Sequence, residues 1–156
     1  MIAIILSALW GVVMMFSGIF FKRKSAAGVI AILGITTLII VSLLEYGSYL
    51  YLPLDVKGML TFTPFSQVFN MVAFICTLIY FLLNATEFEE VGNDVYEYYA
   101  LIFFILCGIC IVTSFNTLLM LFLGIEIISI PLYILAGSDK RNLKSNEASL
   151  KFFLMG

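Results

Sequence analysis

The residue with the clearest chemical potential in this sequence is Glu126, a single carboxylate inside the apolar stretch LFLGIEIISIPLYILAG, residues 121–137. A helix over about 117–136 would place Glu126 near the middle of a bilayer, which takes roughly 20 residues to cross. An acidic side chain at that depth costs about 2.5–3.5 kcal/mol on insertion scales. We therefore expect Glu126 to face protein or water and to handle a proton or an ion. Hydrogen bonding by a neutral glutamate between helices is the structural alternative.

Three more residues of the same predicted helix would support such a site. At 3.6 residues per turn, Ser129 and Tyr133 lie within about 60° of Glu126, which predicts one polar stripe on an otherwise apolar helix. Pro131 has no N–H to donate to the carbonyl of Ile127, so a free acceptor is expected one turn from the carboxyl group. Such an acceptor can hold a water molecule.

The candidate cationic partner of Glu126 is Lys151, near the start of the next apolar segment. If that helix begins near Ser145, Lys151 lies about 9 Å deep and Glu126 about 15 Å from the same surface. A long side chain or a water could bridge the difference. Glu147 precedes Lys151 by four residues, in the favourable order for an ion pair within one helix. Extension of the lysine towards the membrane surface is a further alternative, and the spacing does not decide among these.

Composition places the chain in a membrane. Of 156 residues, 63% are hydrophobic and 12% are charged, about half the charged fraction of a soluble domain. A water-soluble monomer of this composition would expose too much apolar surface. The net charge of −2 does not favour nucleic acid as a partner. Because the sequence has no histidine, we expect no catalytic metal site.

The apolar runs predict an all-α fold, a polytopic transmembrane helix bundle with five complete spans and the start of a sixth. The five spans cover approximately residues 2–21, 25–44, 65–84, 98–115 and 117–136. Because only Asn116 and Thr117 separate the last two, we expect these spans to form a tight antiparallel hairpin.

Basic residues predict the orientation in the membrane. One cluster, Lys22 to Lys24, follows the first span, and a second follows the fifth span and contains Lys140, Arg141 and Lys144. An even number of crossings separates the two clusters, and the opposite side has only Lys57. The positive-inside rule therefore predicts cytoplasmic basic loops and an outside N-terminus. As the location we expect the cell inner (plasma) membrane.

Small and polar residues predict how the spans pack. Ala3, Ser7 and Gly11, and also Ala27 and Ala31, recur at four-residue spacing, which lets helices approach closely in lipid. The third span has a polar residue every seven positions. These residues either form hydrogen bonds between helices or line a path for water. These residues are Thr63, Asn70, Thr77 and Asn84.

Three segments carry a resemblance to a known family. YYALIFF, LFLGIEIISIPLYILAGSDKR and SNEASLKFFLMG together resemble the N-terminal part of subunit N of the proton-pumping NADH–quinone oxidoreductase, respiratory complex I. The mitochondrial counterpart is NADH dehydrogenase subunit 2. The match is specific over residues 98–156, and over 1–97 it rests on the layout of the spans.

The resemblance implies a membrane-arm subunit that couples NADH oxidation and quinone reduction to proton translocation. It implies that Glu126 and Lys151 form the proton relay, supported by Ser129, Pro131 and Tyr133. It implies three N-terminal helices with loops over 1–97, and the start of an antiporter-like domain over 98–156. This chain would itself bind no cofactor. NADH, flavin, iron–sulfur clusters and quinone would belong to other subunits, which with the lipid bilayer would be its partners.

The sequence departs from the family in length, and two alternatives remain. Family members have many more helices, arranged as inverted repeats, so we expect this chain to be a fragment that lacks a later broken helix and its lysines. One alternative is a subunit of a related cation/proton antiporter or membrane hydrogenase. The other is a non-transporting membrane assembly protein, in which Glu126 and Lys151 only specify a partner helix.

Overall fold

The computed structural model describes residues 1–20, 24–47, 58–84, 95–138 and 142–155. Within these ranges the chain forms six α-helices, of which the first five are long and apolar enough to cross a membrane. The predicted all-α bundle is therefore confirmed. The helices are α1 (Ile2–Phe20), α2 (Lys24–Tyr46), α3 (Pro64–Leu83), α4 (Val95–Thr113), α5 (Leu118–Ala136) and α6 (Leu143–Met155).

Local sequence sets the start of two of these helices. At α3, the Thr63 hydroxyl accepts a hydrogen bond from the Ser66 amide at 3.2 Å, and the Ser66 hydroxyl accepts one from the Thr63 amide at 3.1 Å. This reciprocal pair satisfies two amides that a helix start leaves free. Pro64 follows at the first helical position, where its missing N–H has no consequence. At α5, Thr117 is the N-cap.

α4 is the centre of the bundle and packs most extensively against α1 and α5. A Cβ added at Gly11 would lie 3.0 Å from the ring of Phe104, so a glycine lets α1 approach α4 closely. The small residues of α1 and α2 are buried, as predicted. The buried face of α1 comprises Ala3, Ser7, Gly11, Met14 and Ser17, and that of α2 includes Ala27 and Ala31.

The polar residues of α3 have separate roles. Asn70 accepts a hydrogen bond from the Thr113 hydroxyl of α4 at 2.8 Å, which confirms interhelical bonding at this position. The Thr77 hydroxyl and the Asn84 amide each donate to a carbonyl four residues earlier in α3. Because these two groups are bonded within their own helix, the structure favours the packing interpretation over a continuous polar path.

Contacts at one end of the bundle show that successive helices alternate in direction. The Ile2 amide of α1 lies 2.8 Å from the Glu45 carboxylate of α2, and Leu60 pairs with Phe115 beyond the end of α4. This end, which we call the first end, holds the starts of α1 and α3 and the ends of α2 and α4. Lys22, Arg23, Lys57, Lys140 and Arg141 lie outside the described residues, so the orientation in the membrane stays a prediction.

Candidate functional site

Glu126 is the ninth of the 19 residues of α5 and lies near the middle of the span. Its side chain is partly buried. Within the described ranges its carboxylate makes no hydrogen bond or ion pair. A carboxylate without a partner near the centre of an apolar helix is the unusual chemical feature of this chain, because ionisable groups at that depth are ordinarily paired or face water.

α5 is buried on the side that packs against α4. Gly124 and Pro131 are its buried residues. A Cβ at Gly124 would lie 2.6 Å from Val112 of α4, and a Cβ at Gly108 would lie 2.6 Å from Ile128 of α5. We call these contacts the α4–α5 seam. A glycine on each side brings the two backbones together, which confirms the predicted tight hairpin of the fourth and fifth spans.

Glu126 lies on the face of α5 opposite this seam. At about 100° per residue, Glu126, Ser129 and Tyr133 lie about 200°, 140° and 180° around the helix from Gly124. The three polar residues therefore share one face, and α4 does not cover it. Few residues of α5 are buried: 11% of the residues in its span, compared with 56% in the span of α4.

The residues around Glu126 are bonded differently from one another. The Ser129 hydroxyl donates to the Ile125 carbonyl of its own helix at 2.7 Å. Pro131 is buried within α5, and because proline has no N–H, the Ile127 carbonyl lacks its usual helical donor. Glu126 is thus adjacent in sequence to a carbonyl that can accept a hydrogen bond from another group.

The start of α6 differs from the sequence prediction. α6 begins at Leu143, and the Asn142 side chain accepts a hydrogen bond from the Lys144 amide at 3.0 Å, so Ser145 is not the N-cap. The Ser145 hydroxyl donates instead to the Ala136 carbonyl at the end of α5, at 2.6 Å. The reason is that the last carbonyls of a helix have no hydrogen-bond donor within that helix. The Ser145 hydroxyl donates to one of these carbonyls, and Asn142 replaces it as the N-cap, because asparagine and serine are about equally good caps.

Two serines and a tyrosine hold α6 antiparallel to the end of α5. The Ser149 hydroxyl donates to the Tyr133 carbonyl at 2.8 Å, one turn further along α6 than the contact of Ser145. The Tyr133 ring meets Phe152 and Phe153 edge-on, with centroid distances of 5.0 and 5.7 Å. These contacts place α6 beside the end of the polar face of α5.

Lys151 has a partner on its own helix. Its ammonium lies 2.6 Å from the Glu147 carboxylate, and both side chains are more than half exposed. Because Ser149 contacts the Tyr133 carbonyl, Lys151 lies about 3 Å further into the span than Tyr133, whereas Glu126 lies about 10 Å further. The backbones of Lys151 and Glu126 therefore differ in depth by about 7 Å. The side chain of Lys151 extends back towards the start of α6. The structure brings the helices of Glu126 and Lys151 together without pairing the two side chains.

Glu45 is a second carboxylate in a spanning helix, and the sequence analysis missed it. It lies in the last turn of α2, and its side chain is 12% exposed. One carboxylate oxygen accepts from the Met1 nitrogen at 2.6 Å and the Ile2 amide at 2.8 Å. The signal in the sequence was an acid at a helix C-terminus, where the helix dipole disfavours negative charge and a donor is needed.

Similarity to known proteins covers the whole of this site. A model of the family described as "NADH:quinone oxidoreductase/Mrp antiporter, TM" matches residues 115–156, which include Glu126 and Lys151. The NADH-quinone oxidoreductase subunit N of Flavobacterium psychrophilum is 37% identical over 156 residues, 98% of this chain and 32% of the relative. That of Flavobacterium johnsoniae is 42% identical over 100 residues, 64% of this chain and 22% of the relative.

A relative with another name also matches. The F(420)H(2) dehydrogenase subunit N of Methanosarcina mazei is 28% identical over 153 residues, 94% of this chain and 31% of the relative. The chain thus spans about a third of the length of these two relatives that it matches almost throughout. With its five apolar helices, it is an integral membrane protein that belongs to the family of NADH–quinone oxidoreductase subunit N.

Proposed function

We propose that this chain is part of a membrane-arm subunit of NADH–quinone oxidoreductase that couples NADH oxidation and quinone reduction to proton translocation. The observation that carries the proposal is the position of Glu126, near the middle of an apolar helix, on the face turned away from α4 and without a partner in the described residues. Membrane-embedded ionisable groups typically belong to proton or ion pathways.

Glu126 takes up and releases the proton in this proposal. Its carboxylate faces away from the α4–α5 seam, so a proton can reach it from the side of α5 turned away from α4 without any change in that seam. The Ile127 carbonyl, which Pro131 leaves without a helical donor, can hold a water beside the carboxyl group. Ser129 keeps its hydroxyl on the Ile125 carbonyl and contributes to the polar face through its oxygen.

Lys151 supplies a movable positive charge. In the structure its ammonium is bound to Glu147, one turn nearer the start of α6. The pair joins two side chains of one helix, and both are more than half exposed, so the lysine can turn away from Glu147 without breaking a contact between helices. When Glu126 is ionised, the ammonium can turn towards it, and when Glu126 is protonated it returns to Glu147. Tyr133, packed between α5 and α6, keeps the two helices in register for this movement.

The remaining parts of the reaction belong to other subunits. The proposal gives this chain no cofactor, and it assigns NADH, flavin, iron–sulfur clusters and quinone to its partners in the complex. The protein then lies in the cell inner (plasma) membrane, with its basic loops cytoplasmic and its N-terminus outside.

The test is proton pumping by membrane vesicles that carry the full-length protein with Glu126→Gln, driven by NADH. We expect the complex to assemble, and NADH-driven pumping and NADH oxidation to fall at least tenfold, because an amide cannot release a proton. Glu97→Gln is the matched control, since Glu97 is an exposed carboxylate in the first turn of α4. Wild-type assembly and pumping in Glu126→Gln would reject the relay and favour an assembly protein.

A second candidate function is cation/proton antiport, or a place in a membrane hydrogenase. The family that matches residues 115–156 also includes Mrp antiporters, and the Methanosarcina mazei relative is named for a dehydrogenase with another electron donor. The same vesicles separate these functions. Under the main proposal NADH alone drives acidification, whereas an antiporter would move protons in response to an imposed Na⁺ gradient without NADH.

A further inference from the structure

A small cavity lies at the first end of the bundle, away from Glu126. The volume within which the centre of a water-sized sphere can move is about 20 Å³. Polar residues of three helices border the cavity. Ser42 and Glu45 come from α2, Gln67 and Asn70 from α3, and Cys110 from α4. We call it the Glu45 cavity.

The polar groups around the Glu45 cavity have unused hydrogen-bonding capacity. Asn70 is 9% exposed, and its side-chain oxygen accepts from Thr113 while its NH₂ group has no partner in the described residues. The side chain of Gln67 likewise makes no hydrogen bond to a described residue. At Glu45, one carboxylate oxygen takes both donors from the start of α1, which leaves the other oxygen unbonded within the same ranges.

We propose that the Glu45 cavity is a binding site for one buried water molecule, which donates to Glu45 and accepts from the side-chain amides of α3. Buried polar groups in proteins are rarely left without a partner. A cavity needs about 10–15 Å³ on this measure to hold a water, and the water needs two to four polar partners. The Glu45 cavity meets both conditions, and its volume is too small for a larger ligand.

The water would have a definite structural role. Glu45 lies at the negative end of the α2 dipole, where a carboxylate needs several donors to remain stable. The start of α1 supplies donors to one oxygen, and the water supplies a donor to the other while linking α2 to α3. This connection is distinct from the Glu126 site and does not depend on the proposed proton translocation.

Cys110 provides a direct probe, because its side chain borders the cavity and is only 1% exposed. In full-length protein with Cys110 as the only thiol, transfer to D₂O should convert S–H to S–D, as followed by the infrared S–H stretching band. Cys107 is the comparison thiol, because it lies on the same helix, is also buried, and is not among the lining residues. Its thiol donates to the Ile4 carbonyl at 3.7 Å, which also slows exchange, so the comparison is completed by a variant that leaves Cys110 in place. We expect Cys110 to exchange at least tenfold faster than Cys107 in the corresponding single-thiol protein.

A second variant keeps the test independent of general loosening of α4. Gln67→Met preserves the length of the side chain and removes a group that holds the water, and it breaks no hydrogen bond to a described residue. We expect it to slow exchange at Cys110 at least threefold while the protein stays folded. Exchange at Cys110 as slow as at Cys107, or an unchanged rate in Gln67→Met, would show that the cavity is dry and overturn the proposal.

Discussion

The Lys151 ammonium lies 2.6 Å from the Glu147 carboxylate, one turn nearer the start of α6. The cation that the family resemblance associates with Glu126 is therefore held by a local partner. The Ser149–Tyr133 contact sets the register of α6 against α5, and it leaves the backbones of Lys151 and Glu126 about 7 Å apart in depth. Both the position of Lys151 on α6 and the direction of its side chain therefore separate the two charges. Rotation of that side chain towards Glu126 brings the positive charge closer to the face of α5 that is turned away from α4.

The two members of this ion pair should differ in their importance for pumping. Lys151→Met should reduce NADH-driven pumping at least tenfold in an assembled complex, because it removes the movable positive charge. Glu147→Gln should retain at least half of wild-type pumping, because Glu147 holds the lysine in only one of its positions. Quenching of a pH-sensitive dye in inverted vesicles measures both, with assembly checked on native gels. Equal losses in the two variants would indicate that the pair acts only as a structural unit.

The α4–α5 seam should be intolerant of larger side chains. At Gly124 a Cβ would lie 2.6 Å from Val112 and 3.2 Å from the Val112 amide nitrogen, so Gly124→Val must push the helices apart. Overpacking of this kind costs about 1–3 kcal/mol, and we expect a lower midpoint of thermal unfolding in detergent.

Gly28→Ala is the control for the seam, because a Cβ there would meet only the Tyr99 hydroxyl at 3.6 Å, an ordinary contact. Its unfolding midpoint should be unchanged or raised, since alanine favours a helix over glycine by about 1 kcal/mol. A similar decrease in both variants would mean that glycine is needed at these positions for some reason other than close packing.

The position of Glu126 was predictable because it depends on local sequence. Hydropathy sets the limits of α5 and therefore the depth of Glu126, and helix periodicity sets the direction of Glu126 relative to Ser129 and Tyr133. Which face α4 would cover was not predictable in this way. It depends on Gly108 and Gly124 meeting across two helices, and glycines occur for many reasons in membrane spans.

The partners of Lys151 and Glu45 show a second limit of sequence analysis. Spacing along the chain left Lys151 with several alternatives, because a pair with Glu147 and extension to the membrane surface both suit a lysine at this position of the helix. The start of α6 was misplaced because Asn142 and Ser145 are equally good caps, and the choice depended on the Ala136 carbonyl of another helix. Glu45 was missed because its donors come from α1, more than 40 residues away in sequence.

The hydrogen bond between Asn70 and Thr113 should be a modest link between α3 and α4. The two side chains lie 2.8 Å apart, and interhelical hydrogen bonds in membranes average about 0.6 kcal/mol in double-mutant cycles. A cycle built from Asn70→Ala and Thr113→Val should give a coupling free energy of about that size, measured by unfolding in detergent mixtures. Zero coupling would show that the pair only packs together, and the Thr36→Val variant controls for loss of a hydroxyl that bonds within its own helix.

Tyr133 should act through its ring rather than its hydroxyl. Its edge-on contacts with Phe152 and Phe153 hold α6 beside α5, and the hydroxyl makes no hydrogen bond to a described residue. Tyr133→Phe should therefore keep amide hydrogen exchange over residues 143–155 within twofold of wild type and leave pumping intact. Tyr133→Ala removes the ring contacts, so exchange over the same residues should accelerate at least tenfold and pumping should fall. Loss of pumping in Tyr133→Phe with α6 still protected would instead place the hydroxyl in the proton path.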